Sequence, residues 1–212
     1  DLKPGTVGKP VDGVELKIAD DGEILTRGPS VMKGYFKKPA DTAEAIDPEG
    51  WFHTGDIGVI DAEGFLTITD RKKDIIVTSG GKNIAPQPIE SLIKTHKYVT
   101  EVVMIGNRRH FPAALVVPNF ENLEAWAKQK GIPFASRQEL VERPEVQAFY
   151  EQAIKELTPH LAQFERIKKI AVLPREFTIE GGELTPKLSV KRRVVEQKYK
   201  DLIDKMYEGA AA

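Results

Sequence analysis

The first seventy positions read as turns and short strands in which hydrophobic residues recur at every second place. Val14, Leu16 and Ile18 alternate with Glu15 and Lys17, and Asp20-Asp21-Gly22 turns the chain into a strand over residues 23–27. A second unit repeats the scheme: a strand at 56–60, a turn at Asp61-Ala62-Glu63-Gly64 and a strand at 65–69. In these units period two beats period 3.6, so this stretch reads as an antiparallel β region. Five charged residues, Asp70-Arg71-Lys72-Lys73-Asp74, then interrupt the pattern.

Beyond them the spacing predicts a strand over 74–78, a loop at Ser79-Gly80-Gly81, and a helix opened by Pro88 and running to about His96. Strands at 99–105 and 113–118 follow. Helices come next. Leu123, Trp126, Ala127 and Lys130 precede a stop at Gly131, and Ser136-Arg-Gln-Glu139 is a capping box. Val146, Phe149, Tyr150, Ala153, Ile154 and Leu157 form a core-facing stripe that ends before Pro159. A strand at 167–173, a turn at Gly181-Gly182-Glu183 and a last amphipathic helix carrying Val195, Tyr199, Leu202, Ile203 and Met206 complete the reading. The fold class is therefore α+β. A β-rich N-terminal piece (1–70) joins, through a hinge (71–74), a compact α+β domain (75–212) of a size to fold alone.

Composition narrows the chemistry. The 212 residues carry 31 Lys+Arg against 32 Asp+Glu, a net charge of -1, so no bulk field draws nucleic acid. With no cysteine, thiol catalysis, Cys-ligated zinc and disulfides are excluded, and a reducing, cytoplasmic setting is expected. The four His (His53, His96, His110, His160) lack metal-ligand spacing, so no metal site is expected. There is no G-x-S-x-G elbow, and Gly81-Lys82 is no P-loop because Ile76 and Asn83 stand where Gly and Ser/Thr belong. No apolar run approaches the ~20 residues of a membrane span. The opening Asp1-Leu2-Lys3-Pro4-Gly5, without Met or leader, suggests a piece of something longer.

Three local features carry candidate chemistry. Asp56, in Thr54-Gly55-Asp56, offers two acceptor oxygens suited to the adjacent hydroxyls of a ribose; alone, it is more simply an Asp capping its own turn. Ser79-Gly80-Gly81 lets a ligand approach the backbone closely, or is merely a turn. Lys187, Lys191, Arg192 and Arg193 can neutralise a phosphate or carboxylate, or simply solvate a helix start.

Their order changes the weighting. Gly28-Pro29-Ser30-Val31-Met32-Lys33-Gly34-Tyr35, Trp51-Phe52-His53-Thr54-Gly55-Asp56, Asp70-Arg71-Lys72-Lys73-Asp74, Ser79-Gly80-Gly81-Lys82-Asn83-Ile84 and Leu184-Thr185-Pro186 occur in series. Together they resemble the C-terminal portion of an acyl-CoA synthetase in the adenylate-forming superfamily, and the stretch from Asp70 to Ile84 looks most like the long-chain fatty-acyl branch. The resemblance spans nearly the whole chain and is weaker over 119–165.

The resemblance implies an acid–thiol ligase that converts a fatty acid with ATP to an acyl-adenylate, then to acyl-CoA, a domain rotation separating the two steps. By similarity, residues 1–70 are the end of the large AMP-binding domain and 75–212 the mobile C-terminal domain. Asp56 would bind the ribose hydroxyls, Arg71 the same nucleotide, Lys73 would be the hinge residue, and Ser79, Gly80, Gly81 and Lys82 would line the channel for the pantetheine arm of coenzyme A. The family carries a Lys three residues after the last motif's Pro; here Ser189 stands there, so the role passes to Lys187 or Lys191. If that segment is a strand, both share a face with position 189. The family's phosphate loop and its aromatic-Gly-x-Thr-Glu segment are not among these residues. Magnesium ligands and most of the acyl pocket are thus expected in an upstream N-terminal domain, and the isolated chain is expected to be inactive. An insoluble substrate suggests peripheral membrane contact. Alternatives are a ligase for another acid, a basic binding module, and a degenerate synthetase kept as a scaffold.

Overall fold

The alternating segments of the first seventy residues pair in sequence order. β1 (Glu15–Ile18), β2 (Glu23–Arg27), β3 (Phe52–Ile60) and β4 (Leu66–Arg71) form one antiparallel sheet in the order β1-β2-β3-β4. β3 starts four residues earlier than alternation predicts, because Phe52 and His53 pair with Thr26 and Leu25. Trp51 just before it is buried, with the cations of Lys17 and Arg27 4.3 and 4.5 Å from its ring centre. A short helix, α1 (Pro39–Ala45), escaped the pattern since it buries nothing and so carries no apolar stripe. The computed structural model describes residues 2–209 and separates two compact units, Asp1–Ile75 and Ile76–Ala212.

Where a strand from residue 74 was expected, a 3₁₀ turn (Lys72–Asp74) ends the first unit. The second unit opens with a small hairpin, β5 (Ile76–Val77) and β6 (Asn83–Ile84), with the Ser79–Lys82 loop between them. α2 (Pro86–Ile93) begins at Pro86 rather than Pro88; both prolines fit the first turn, where no N–H is needed. β7 (Val99–Ile105) and β8 (Ala113–Pro118) pair antiparallel, and β9 (Lys169–Val172) joins β8 in parallel.

Side chains alternating along these strands feed two cores. On one face Val102, Met104, Ala114, Val116 and Val172 meet α2, α3 (Phe120–Gln129), α4 (Arg137–Glu142) and α5 (Pro144–Leu157). On the other, Val103, Leu115, Val117 and Leu173 meet Val195 of α6 (Arg192–Lys198) and Ile203 and Met206 of α7 (Lys200–Tyr207). A sheet buried on both faces needs near-continuous apolar strands, and 113–117 is Ala-Ala-Leu-Val-Val. The last helix, expected in one piece, breaks at Tyr199 (φ -103, ψ 18). Ser136 caps α4 by accepting from Glu139 N at 3.2 Å, while the Glu139 carboxylate reaches back to Ala135 N rather than to Ser136. Among the described residues no helix is long and apolar enough to cross a membrane.

Candidate functional site

In the first unit the ladder sets Asp56 directly opposite Arg71, although fifteen positions separate them in the chain. Asp56 Oδ1 lies 2.8 Å from Arg71 Nε. The contact is an ion pair without hydrogen-bond alignment, for Oδ1 is buried and accepts no hydrogen bond. The Asp56 side chain as a whole keeps 21% of its surface exposed. Thr54 holds the turn beneath it: its hydroxyl donates to Ile24 O (2.7 Å) and accepts from Asp56 N (3.1 Å). Lys73, exposed, sits in the 3₁₀ turn two residues after Arg71.

Sequence reasoning passed over Glu23. Its side chain is 4% exposed, yet it is an ion and has three partners. Oε1 accepts from Gly55 N at 2.9 Å; Oε2 accepts from Lys72 Nζ at 2.9 Å and faces His53 Nδ1 at 2.9 Å. Burial pushes its pKa up, but the bonds from His53, Lys72 and the Gly55 N–H outweigh this and hold the carboxyl below the ordinary glutamate range. Hydrogen bonds to Asp21 and Glu23 raise Lys72 in turn. Glu23 lines an open cleft of about 660 Å³ together with His53, Gly55 and Lys72. Apolar residues fill both sides of β2, so a buried Glu left no trace in the alternation.

In the second unit the Ser79–Lys82 loop is pinned by Thr78 N to Lys82 O (3.0 Å) and Ser79 N to Arg109 O (2.9 Å). The fold adds two neighbours that spacing did not suggest: His110, 2.9 Å from the Ser79 hydroxyl, and Phe164, whose ring centre lies 5.7 Å from Lys82 Nζ. A Cβ built at Gly80 would meet only Thr78 Oγ1 at 3.9 Å, and Gly80 has no left-handed φ. Neither packing nor backbone conformation within the protein requires that glycine.

The basic segment is not a strand across 187–191. Leu184 and Val190 bridge, Thr185 N donates to Ser189 O (2.8 Å), and Leu188 takes a left-handed φ of 61°, so residues 186–188 are the tip of a tight hairpin. Lys187, Ser189 and Lys191 therefore do not share one strand face. Lys187 projects from the tip, whereas Lys191 stands at the base: its N–H donates to Glu183 O at 2.7 Å and the residue caps α6. Two buried glutamates hold that base. Glu183 is fully buried and paired with Arg175 and Lys198; burial would raise its pKa, but those two bonds dominate and bring it down to about 2. Glu90 binds Arg192 Nη2 through both oxygens at 2.8 Å, and Arg192 Nη1 donates to Met104 O. Glu90 was legible in principle: Pro86, Ile89, Glu90 and Ile93 form the buried stripe of α2, with a charge at i+4. Among the described residues, no group of three or more His, Cys, Asp or Glu is placed to hold a metal ion.

Comparison with known proteins shows what the chain as a whole is similar to. The chain is 44% identical over 208 residues to a long-chain-fatty-acid–CoA ligase, FadD15, of Mycobacterium tuberculosis, covering 98% of this chain and 34% of the relative. It is 36% identical to long-chain-fatty-acid–CoA ligase 1 of Cavia porcellus, covering 98% and 32%. It thus spans about a third of the length of these relatives. Its fold matches the A domain of a carboxylic acid reductase from Segniliparus rugosus, with a TM-score of 0.77 and 22% identity, over 96% of this chain and 32% of that one. Residues 73–211 match the family described as the AMP-binding enzyme C-terminal domain, and the chain belongs to that family.

Proposed function

We propose that this chain is the end of the nucleotide-binding domain, the hinge and the C-terminal domain of an ATP-dependent long-chain fatty-acid–CoA ligase. In the first step a fatty carboxylate attacks the α-phosphate of ATP, forming acyl-adenylate and releasing pyrophosphate. In the second, the thiol of coenzyme A attacks the acyl carbon, and AMP leaves as the thiol proton is lost. The observation that carries the reading is the Asp56–Arg71 pair, a carboxylate and a guanidinium held 2.8 Å apart with both side chains partly exposed. Asp56 accepts the ribose hydroxyls, and Arg71, held against it, contacts the nucleotide. Lys191 is the better candidate for the cation at the reacting carboxylate, since Glu183 and the start of α6 fix its backbone, while Lys187 rides on a turn. The Ser79–Lys82 loop lines the pantetheine path, and the freedom around Gly80 favours that use. Lys73 absorbs the backbone change as the domain turns between steps. Magnesium would screen the triphosphate and would take its ligands from outside these residues, as would most contacts to the acyl chain; the surroundings are cytoplasmic.

The test uses the complete enzyme that carries this chain. Asp56→Ala is expected to raise KM for ATP about tenfold or more, and Lys191→Ala to slow ATP–pyrophosphate exchange at least a hundredfold. Lys187→Ala should change exchange by less than threefold. An unchanged KM for ATP in Asp56→Ala together with unaltered exchange in Lys191→Ala would remove the proposal.

A further inference from the structure

Two short segments, far apart in sequence, converge on one buried carboxylate carried by a third. Glu23 bonds Gly55, the neighbour of Asp56, and Lys72, the neighbour of Lys73. It divides its oxygens between them, with Oε1 on the Gly55 N–H and Oε2 on the Lys72 ammonium and His53. Lys72 is gripped twice, since Asp21 Oδ2 lies 2.7 Å from the same nitrogen, and Asp21 Oδ1 in turn accepts from Glu23 N at 3.1 Å. A surface lysine bound by two carboxylates, one of them 4% exposed, is an anchored group rather than a solvated tail.

We propose that Glu23 is a positioning residue that couples the grip on the nucleotide to the conformation of the hinge. The inference rests on the roles given above to Asp56 and Lys73. Its physical basis is the cost of an unbalanced buried charge. If the hinge draws Lys72 away, Oε2 loses its main counter-charge; the carboxylate must then turn toward water, and the Oε1 bond that sets Gly55 loosens with it. Asp56, the next residue, loses its fixed orientation. Conversely, a nucleotide that holds Asp56 in place keeps the carboxylate set and favours the hinge state in which Lys72 is docked.

Amide hydrogen exchange on the complete enzyme that carries this chain tests the coupling without any nucleotide. Lys72→Met should speed exchange at Gly55 N–H about tenfold, although Lys72 does not touch that group, and Lys72→Arg should restore it. Glu23→Gln should speed exchange at Gly55 and across residues 72–74 together. Should Glu23→Gln fail to fold, the Lys72 pair still decides, because the lysine head is half exposed. Faster exchange at 72–74 with Gly55 unmoved in Lys72→Met would overturn the coupling. In the complete enzyme, Lys72→Met is expected to raise KM for ATP about fivefold with a smaller change in adenylation kcat, and Lys72→Arg to recover it. The two readings fail separately. An ATP KM indifferent to Asp56→Ala removes the nucleotide role and leaves the exchange result standing, while an indifferent Gly55 amide removes the coupling and leaves the role of Asp56 intact.

Discussion

At the scale of single residues, the base of the 183–191 hairpin depends on a carboxylate that must stay ionised. Glu183 titrates at about 2, far below the ordinary 4.5, so its ionised form contributes stability that is complete above the ordinary carboxylate range. That contribution fades as the pH falls from about 5 and is gone once the pH has passed below about 2. Urea unfolding followed between pH 7 and pH 3 should therefore show a falling midpoint. Glu183→Gln should lower stability by about 2 kcal/mol at pH 7 and flatten that acid limb. An acid limb as steep in the variant as in the parent chain would assign the pH dependence to other carboxylates.

At the scale of elements, the β3–β4 pair is held to its shape by close backbone approach at a bulge between Ile57 and Gly58. A Cβ on Gly58 would meet Thr67 O at 2.5 Å and Ile24 Cδ1 at 2.7 Å. Gly58→Ala should cost about 2–3 kcal/mol, read as a lower midpoint of the first unit, since a carbonyl in a ladder cannot step aside as a side chain can. Elements announced by periodicity were legible: the stripe of α5, the alternation of β1 and the apolar run of β8 all stand where the sequence put them. Elements without an inward face were not, α1 above all. The same division runs through the candidate site. Asp56, Arg71 and the Ser79–Lys82 loop could be named from motif order. The buried carboxylates behind the site could not, because Glu23 beside Asp56 and Glu183 beneath Lys191 act through register and hairpin geometry, which sequence spacing does not encode. The strand reading of 187–191 failed for a local reason, as Leu188 adopts a left-handed conformation that β-favouring neighbours such as Val190 do not announce.

At the scale of the whole molecule, the division of the chain into two compact units predicts separate responses to damage. Leu115 is fully buried in the second unit, and Leu115→Ala should cost about 2–5 kcal/mol there. Calorimetry of the chain is expected to show two transitions, with only that of residues 76–212 displaced by this change. A single transition moving as a block would instead mean that the units unfold as one. The Asp56–Arg71 pairing sets a further limit, on what kinds of mutation a lineage can accept. The two side chains meet because the strands are counted off from the tight turn at Asp61–Gly64. A codon gained or lost within that turn would throw the facing strand out of frame and send Arg71 to the opposite side of the ribbon. Point changes in the turn are ordinary spelling variation; a change in its length erases the word.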